Sequence, residues 1–194
     1  MALDQVDVDN MKEESEMSFL DHLEALRWHL VRSVVALLVF AIGFFIAKDF
    51  TTFILFWPRL KEFPTYEFFC NMAEVICFFP PEFTLDIKAM HEAFLTHIRV
   101  SVIFGLVVAF PYLFWEVWRF IKPALLKNEL KAARGIVFSC SSLFISGVTF
   151  GYFVLTPFAI TFLSNYEFGA GVDFEPNLSD YVSSIILFTL PVGI

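Results

Sequence analysis

Three observations predict an all-α, polytopic helical membrane protein. The chain is 58% hydrophobic and 18% charged, whereas soluble domains run near ~45–50% apolar and ~25% charged. A mean hydropathy of +0.69 and 27 phenylalanines among 194 residues amount to more apolar surface than one core of this size can hide, and a bilayer is the sink for it. That surface is concentrated in four long apolar stretches separated by polar segments.

Each stretch is measured against the roughly 17–25 residues that a membrane-spanning helix needs. The first runs over about 30–47, with Arg32 near enough to its end to snorkel. The second covers about 100–118, free of charge from Val100 to Trp115. The third covers about 135–163, 29 residues without a charged side chain, or about 43 Å of helix, so it must tilt or protrude. The fourth, 181–194, has only 14 residues before the chain stops at Ile194 and is expected to be a truncated span. Pro111, Pro157 and Pro191 fall in the last three stretches. Each removes a backbone donor, so either the helices simply curve or they form a kinked, concave wall.

Charge sets the expected orientation. The loop after the second stretch carries Arg119, Lys122, Lys127, Lys131 and Arg134, while residues 164–180 carry no Lys or Arg. By the positive-inside rule the first loop and the N-terminus are cytoplasmic, and the acidic loop is external. The 52-residue segment from Lys48 to Arg99 is then external. Its Pro58, Pro64, Pro80 and Pro81 disfavour long helices before about Asp86. Residues 1–17 are expected to be an acidic, disordered cytoplasmic tail, with Lys12 as the only base. They lack the basic start and apolar core of a signal peptide. The membrane domain is residues 18–194. A net charge of −8 argues against nucleic acid as a partner.

Two polar–apolar helices flank the spans. Ser18 and Asp21 give a capping signal, and Phe19, Leu23, Leu26 and Leu30 form a helical stripe that runs into the first span. Glu24 and Arg27, three apart, are placed to pair. In the segment 123–134, Leu125, Leu126, Leu130 and Ala133 share an arc opposite Lys127, Lys131 and Arg134. Glu129 falls within the apolar arc, with no base three or four residues away. It either snorkels to headgroups or accepts a cationic group such as arginine.

No P-loop, G-x-G-x-x-G, G-x-S-x-G or Ser-His-Asp set is recognisable. His91-Glu92 is followed by His97, one helical face away from a zinc motif. His22 and His29 lack a third ligand. No enzyme activity, cofactor or metal is expected. Of three cysteines, Cys140 lies in an apolar run, and Cys70 and Cys77 share one loop, where a disulfide is possible if the compartment is oxidising.

His22-Leu23-Glu24-Ala25-Leu26-Arg27 resembles the amino-terminal signature H-L-x-E-L-R of the TatC family. Residues 111–129, PYLFWEVWRFIKPALLKNE, resemble that family's W-x-F-I-x-P-A-L block with its closing K-x-E. Gly151-Tyr152-Phe153 with Pro157 is similar to its third span, and Tyr181 onward to the start of its fourth. The resemblance covers residues 18–194. It implies a six-span fold with both ends in the cytoplasm of a bacterial inner membrane, of which four spans are covered here. It also implies a receptor for the twin-arginine signal peptides of folded precursors. Such a receptor works with TatA- and TatB-type single-span subunits, self-associates in a receptor complex and depends on the protonmotive force. By the same resemblance, Glu129 is the glutamate that meets the arginines, Phe120 and Pro111 are sensitive positions, and Arg27 is the signature arginine. The signature glutamate falls at Ala25 here; Glu24, one residue away, points about 100° elsewhere on a helix and is the substitute candidate. The alternatives are a small-molecule secondary transporter, which calls for mid-membrane polar groups, and an intramembrane enzyme. With two spans outside the sequence, a polypeptide ending at Ile194 is not expected to translocate by itself.

Overall fold

The computed structural model describes residues 3–72, 79–80, 83–122, 135–166 and 176–193, with side chains at Glu24 and from Leu26 onward. Helix α1, Leu3–Ile46, is followed by α2, Lys48–Phe56, a single 3-10 turn at Trp57–Arg59, and α3, Pro64–Met72. Then come α4, Glu92–Ile121, and α5, Ile136–Phe150, which runs through a π-turn at Gly151–Leu155 into α6, Thr156–Ser164. Helix α7 is Leu178–Gly193. Among the described residues there is no strand, only an isolated parallel bridge between Asp86 and Asn177.

Among the described residues, three helical segments are long and apolar enough to cross a membrane: Leu26–Ile46 (21 residues), Glu92–Ile121 (30 residues) and Ile136–Ser164 (29 residues). The fourth apolar helix, α7, has 16 residues. Much of this surface is exposed, including Val39, Ile46, Phe138, Leu143 and Leu187, as lipid-facing side chains are in a helical membrane protein.

Two boundaries differ from the sequence expectation. Helix α4 starts at Glu92, ahead of Val100, because the Glu92 carboxylate accepts the amides of Lys88 (2.8 Å) and Ala89 (3.3 Å) at the helix start. Backbone helix also begins at Leu3, where the composition suggested a disordered tail. Residues 3–24 hold neither glycine nor proline and include three Leu, two Met and four Glu, all strong helix formers.

Small residues set the interhelical distances. A Cβ on Gly105 would sit 2.8 Å from the Ala41 nitrogen, so α4 and α1 cross backbone to backbone there. Gly147 and Gly151, four apart, both face α7, and a Cβ on Gly151 would lie 2.8 Å from the Phe188 carbonyl oxygen. This is the small-xxx-small solution for close membrane helices. Between α1, α4, α5 and α7 lies an apolar concavity of about 370 Å³ lined by residues such as Phe44, Ile103, Val107, Phe153, Ile186 and Leu190. Pro157 leaves the Phe153 carbonyl without its helical donor; the Thr65 hydroxyl of α3 donates to it instead.

The segment between α1 and α4 is clamped onto one end of the bundle. The hydroxyls of Tyr152, Tyr181 and Tyr66 donate to the carbonyls of Ile54 (2.5 Å), Leu55 (3.2 Å) and Pro58 (2.8 Å). Three tyrosines from three elements thus satisfy carbonyls that the end of α2 and the 3-10 turn leave open. Phe63 and Tyr66 are fully buried in the same aromatic cluster, and burial pushes the Tyr66 phenol up to about 12. Glu92 completes the clamp: its second oxygen accepts the Ser179 amide at 3.1 Å, tying the start of α7 to the start of α4.

Candidate functional site

At the opposite end, α1 and α4 meet through a buried polar group. Glu116 lies in the last turns of α4 with its residue only 3% exposed. A carboxylate in that position requires donors, and it has two. His29 of α1 approaches one oxygen with Nδ1 at 2.5 Å. Tyr112, one turn earlier on α4, donates its hydroxyl to the other oxygen at 2.9 Å. Phe120, one turn later, sets its ring edge against His29 with centroids 6.2 Å apart. Arg32 lies on the same side and adds positive charge near the carboxylate. The arrangement locks the His29 ring and therefore the register of α1 against α4.

The expected site residues distribute around this group. Phe120 belongs to it directly. Pro111 lies inside α4, one residue before Tyr112. Glu24 and Arg27 lie on the preceding turns of α1, exposed to solvent; among the described residues they do not form the ion pair that their spacing suggested. Glu129 lies outside the described residues, as do the whole segment 123–134 and Cys77. Cys140 is a half-buried free thiol. Among the described residues no three His, Cys, Asp or Glu side chains gather as a metal set would.

Sequence reasoning passed over Glu116 and Tyr112. Both are within the stretch quoted above, and Glu116 is the only acid between Glu92 and Glu129. A lone carboxylate at the end of an apolar run, with a tyrosine at i−4, is the signal that marks it.

The spans, the proline- and glycine-shaped packing and a buried carboxylate–histidine lock at one end define a polytopic helical membrane protein with a polar face beside its first two spans. The family model described as TatC, Sec-independent protein translocase protein, matches residues 21–194. The TatC of Blattabacterium sp. subsp. Periplaneta americana (strain BPLAN) is 36% identical over 190 residues, covering 94% of this chain and 71% of the relative. That of Magnetococcus marinus is 31% identical over 196 residues, covering 95% of this chain and 65% of the relative. A crystal structure titled as the twin arginine translocase receptor TatC superposes with a TM-score of 0.67 at 29% identity, covering 89% of this chain and 69% of that one. A second, in DDM, gives 0.68 at 26% identity. The chain belongs to the TatC family, and it spans about two thirds of the relatives' length.

Proposed function

We propose that this chain is the signal-peptide-binding part of a twin-arginine translocase receptor. It takes up the arginine pair of a precursor's signal peptide on the side where α1 enters and α4 leaves the membrane. Family membership carries this reading and displaces the transporter alternative. The polar end of the bundle supports it: Glu24 is exposed and without an ion-pair partner among the described residues. Glu129 follows Phe120, a member of the His29–Glu116 group, by nine residues of sequence. A guanidinium bound by two carboxylate oxygens is distinguished from an ammonium by its planar fork. Glu129 is the acceptor, with Glu24 standing in for the glutamate replaced by Ala25. Phe120 and Pro111 shape the wall beside them, and Arg27 orients the entry of α1.

The five basic residues Arg119, Lys122, Lys127, Lys131 and Arg134 support a cytoplasmic location for this face, and the resemblance to the bacterial family supports an inner-membrane one. TatA- and TatB-type subunits, further copies of the receptor and the protonmotive force complete the export machine. Residues 1–17 precede the membrane domain of 18–194. The segment bearing Cys70 and Cys77 is then external, and with Cys140 free the two form a disulfide. Non-reducing maleimide labelling that modifies Cys140 alone agrees with this; labelling of three thiols contradicts it. The receptor reading is tested by photocrosslinking a precursor to Glu24→Ala and Glu129→Ala proteins. Loss of the crosslink in Glu129→Ala is expected, and an undiminished crosslink in both variants refutes the site.

A further inference from the structure

The other end of the bundle carries a second polar feature, independent of signal-peptide binding. A cavity of about 770 Å³ opens between α2, the 3-10 turn, the non-helical segment 83–87 and the start of α4. Its chemistry is two-sided. Lys48 and Arg59 line it, and neither has a carboxylate within ion-pair distance among the described residues. Arg59 is held in place with its guanidinium 5.2 Å from the Phe56 ring centre. His97 also lines the cavity. Its ring is stacked on Phe45 at 4.6 Å, and its Nε2 is buried with no hydrogen-bond partner, a group that calls for one. The rest of the wall is apolar, with Phe83, Phe94 and Met90 among its side chains, and Phe94 and Met90 are largely exposed.

Position decides what such a cavity takes. Lys48 follows the span that ends at Ile46, and His97 lies about one and a half turns into the span that begins at Glu92. Lys48, just beyond one span end, sits at headgroup depth beside the first turns of the next span, where anionic lipid is attracted by roughly 1 kcal/mol per Lys or Arg. We propose that this cavity binds the phosphodiester headgroup of an anionic phospholipid, from the leaflet on the Lys48 side. Lys48, Arg59 and His97 hold the phosphate oxygens, and the lipid's glycerol and upper acyl carbons cover Phe83, Phe94 and Met90.

The test uses the purified full chain in a zwitterionic detergent, titrated with short-chain phosphatidylglycerol, short-chain phosphatidylcholine or inorganic phosphate and followed by native mass spectrometry. Phosphatidylglycerol is expected to bind at least tenfold more tightly than either other probe. Lys48→Gln/Arg59→Gln is expected to lose about 25-fold, or about fivefold per charge, while the charge-preserving Lys48→Arg/Arg59→Lys keeps binding within about threefold. His97→Phe removes the imidazole donor and weakens binding by about threefold or more. Equal binding of the two lipids overturns the proposal. So does equal binding of the charge-removing and charge-preserving variants, and so does inorganic phosphate binding as tightly as phosphatidylglycerol, which would make the cavity a site for a free anion.

Discussion

Replacing His29 with leucine leaves the Glu116 carboxylate in place without its closest donor. The carboxylate side chain is 4% exposed and that of His29 is 18% exposed, so water cannot simply substitute. Breaking a buried pair from one side costs about 3–5 kcal/mol, and the partial exposure of His29 places this case near the lower end, about 3 kcal/mol. Glu116→Leu removes the charge instead. It leaves His29 and the 40%-exposed Tyr112 to find water, at about 1–2 kcal/mol. The double variant His29→Leu/Glu116→Leu replaces the pair by apolar packing, which is near neutral, within about 1 kcal/mol. The two sites therefore couple by about 4–5 kcal/mol. SDS titration of the purified protein, followed by circular dichroism, supplies the four free energies of the cycle. Single-variant effects that add to within about 0.5 kcal/mol would refute the claim that this pair locks α1 against α4.

Further consequences follow from the same packing. Glu92→Ala strips an acceptor from the amides of Lys88, Ala89 and Ser179 and is expected to cost about 2–3 kcal/mol. Proteolysis within 83–91 should accelerate with it. Gly151→Val drives a side chain into the α7 backbone and should destabilise by about 1–3 kcal/mol, whereas Gly43→Ala, with open space around it, should stabilise by about 0.5–1 kcal/mol; unfolding midpoints check both. Because burial raises Tyr66 to about 12, its contribution to stability is complete below the ordinary tyrosine value. It is lost as pH rises from about 10 towards 12, because the unfolded chain releases its proton first. An alkaline titration of tyrosinate absorbance, compared with Tyr66→Phe, should show one phenol ionising near the top of that range.

The spans were legible because helical membrane segments announce themselves by length and composition alone. The long third segment, the shortness of the helices among the described residues between Ile46 and Asp86, and the prolines that punctuate the helices could all be read before the structure. Interhelical partners could not. Gly147 and Gly151 form a close-packing pattern, but a sequence does not say that the facing helix is α7. Likewise Thr65 is an unremarkable residue until Pro157 leaves a carbonyl for it. The start of α4 at Glu92 was missed because the residue supplies its own capping interactions, and composition over 83–99 is too mixed to reveal them. At the candidate site, the nineteen-residue stretch 111–129 around Phe120 was visible, and Glu116 lay within it. Its role depended on His29, which lies 87 residues away in sequence and comes beside it only when α1 packs on α4.

The central claim is arginine recognition on the α1–α4 face, and its most direct test is binding of a twin-arginine signal peptide and its twin-lysine counterpart to the detergent-solubilised protein, with and without Glu129→Ala. A preference for arginine of tenfold or more that collapses in the variant is the predicted result. Equal binding of the two peptides, or a preference that survives Glu129→Ala unchanged, would contradict it.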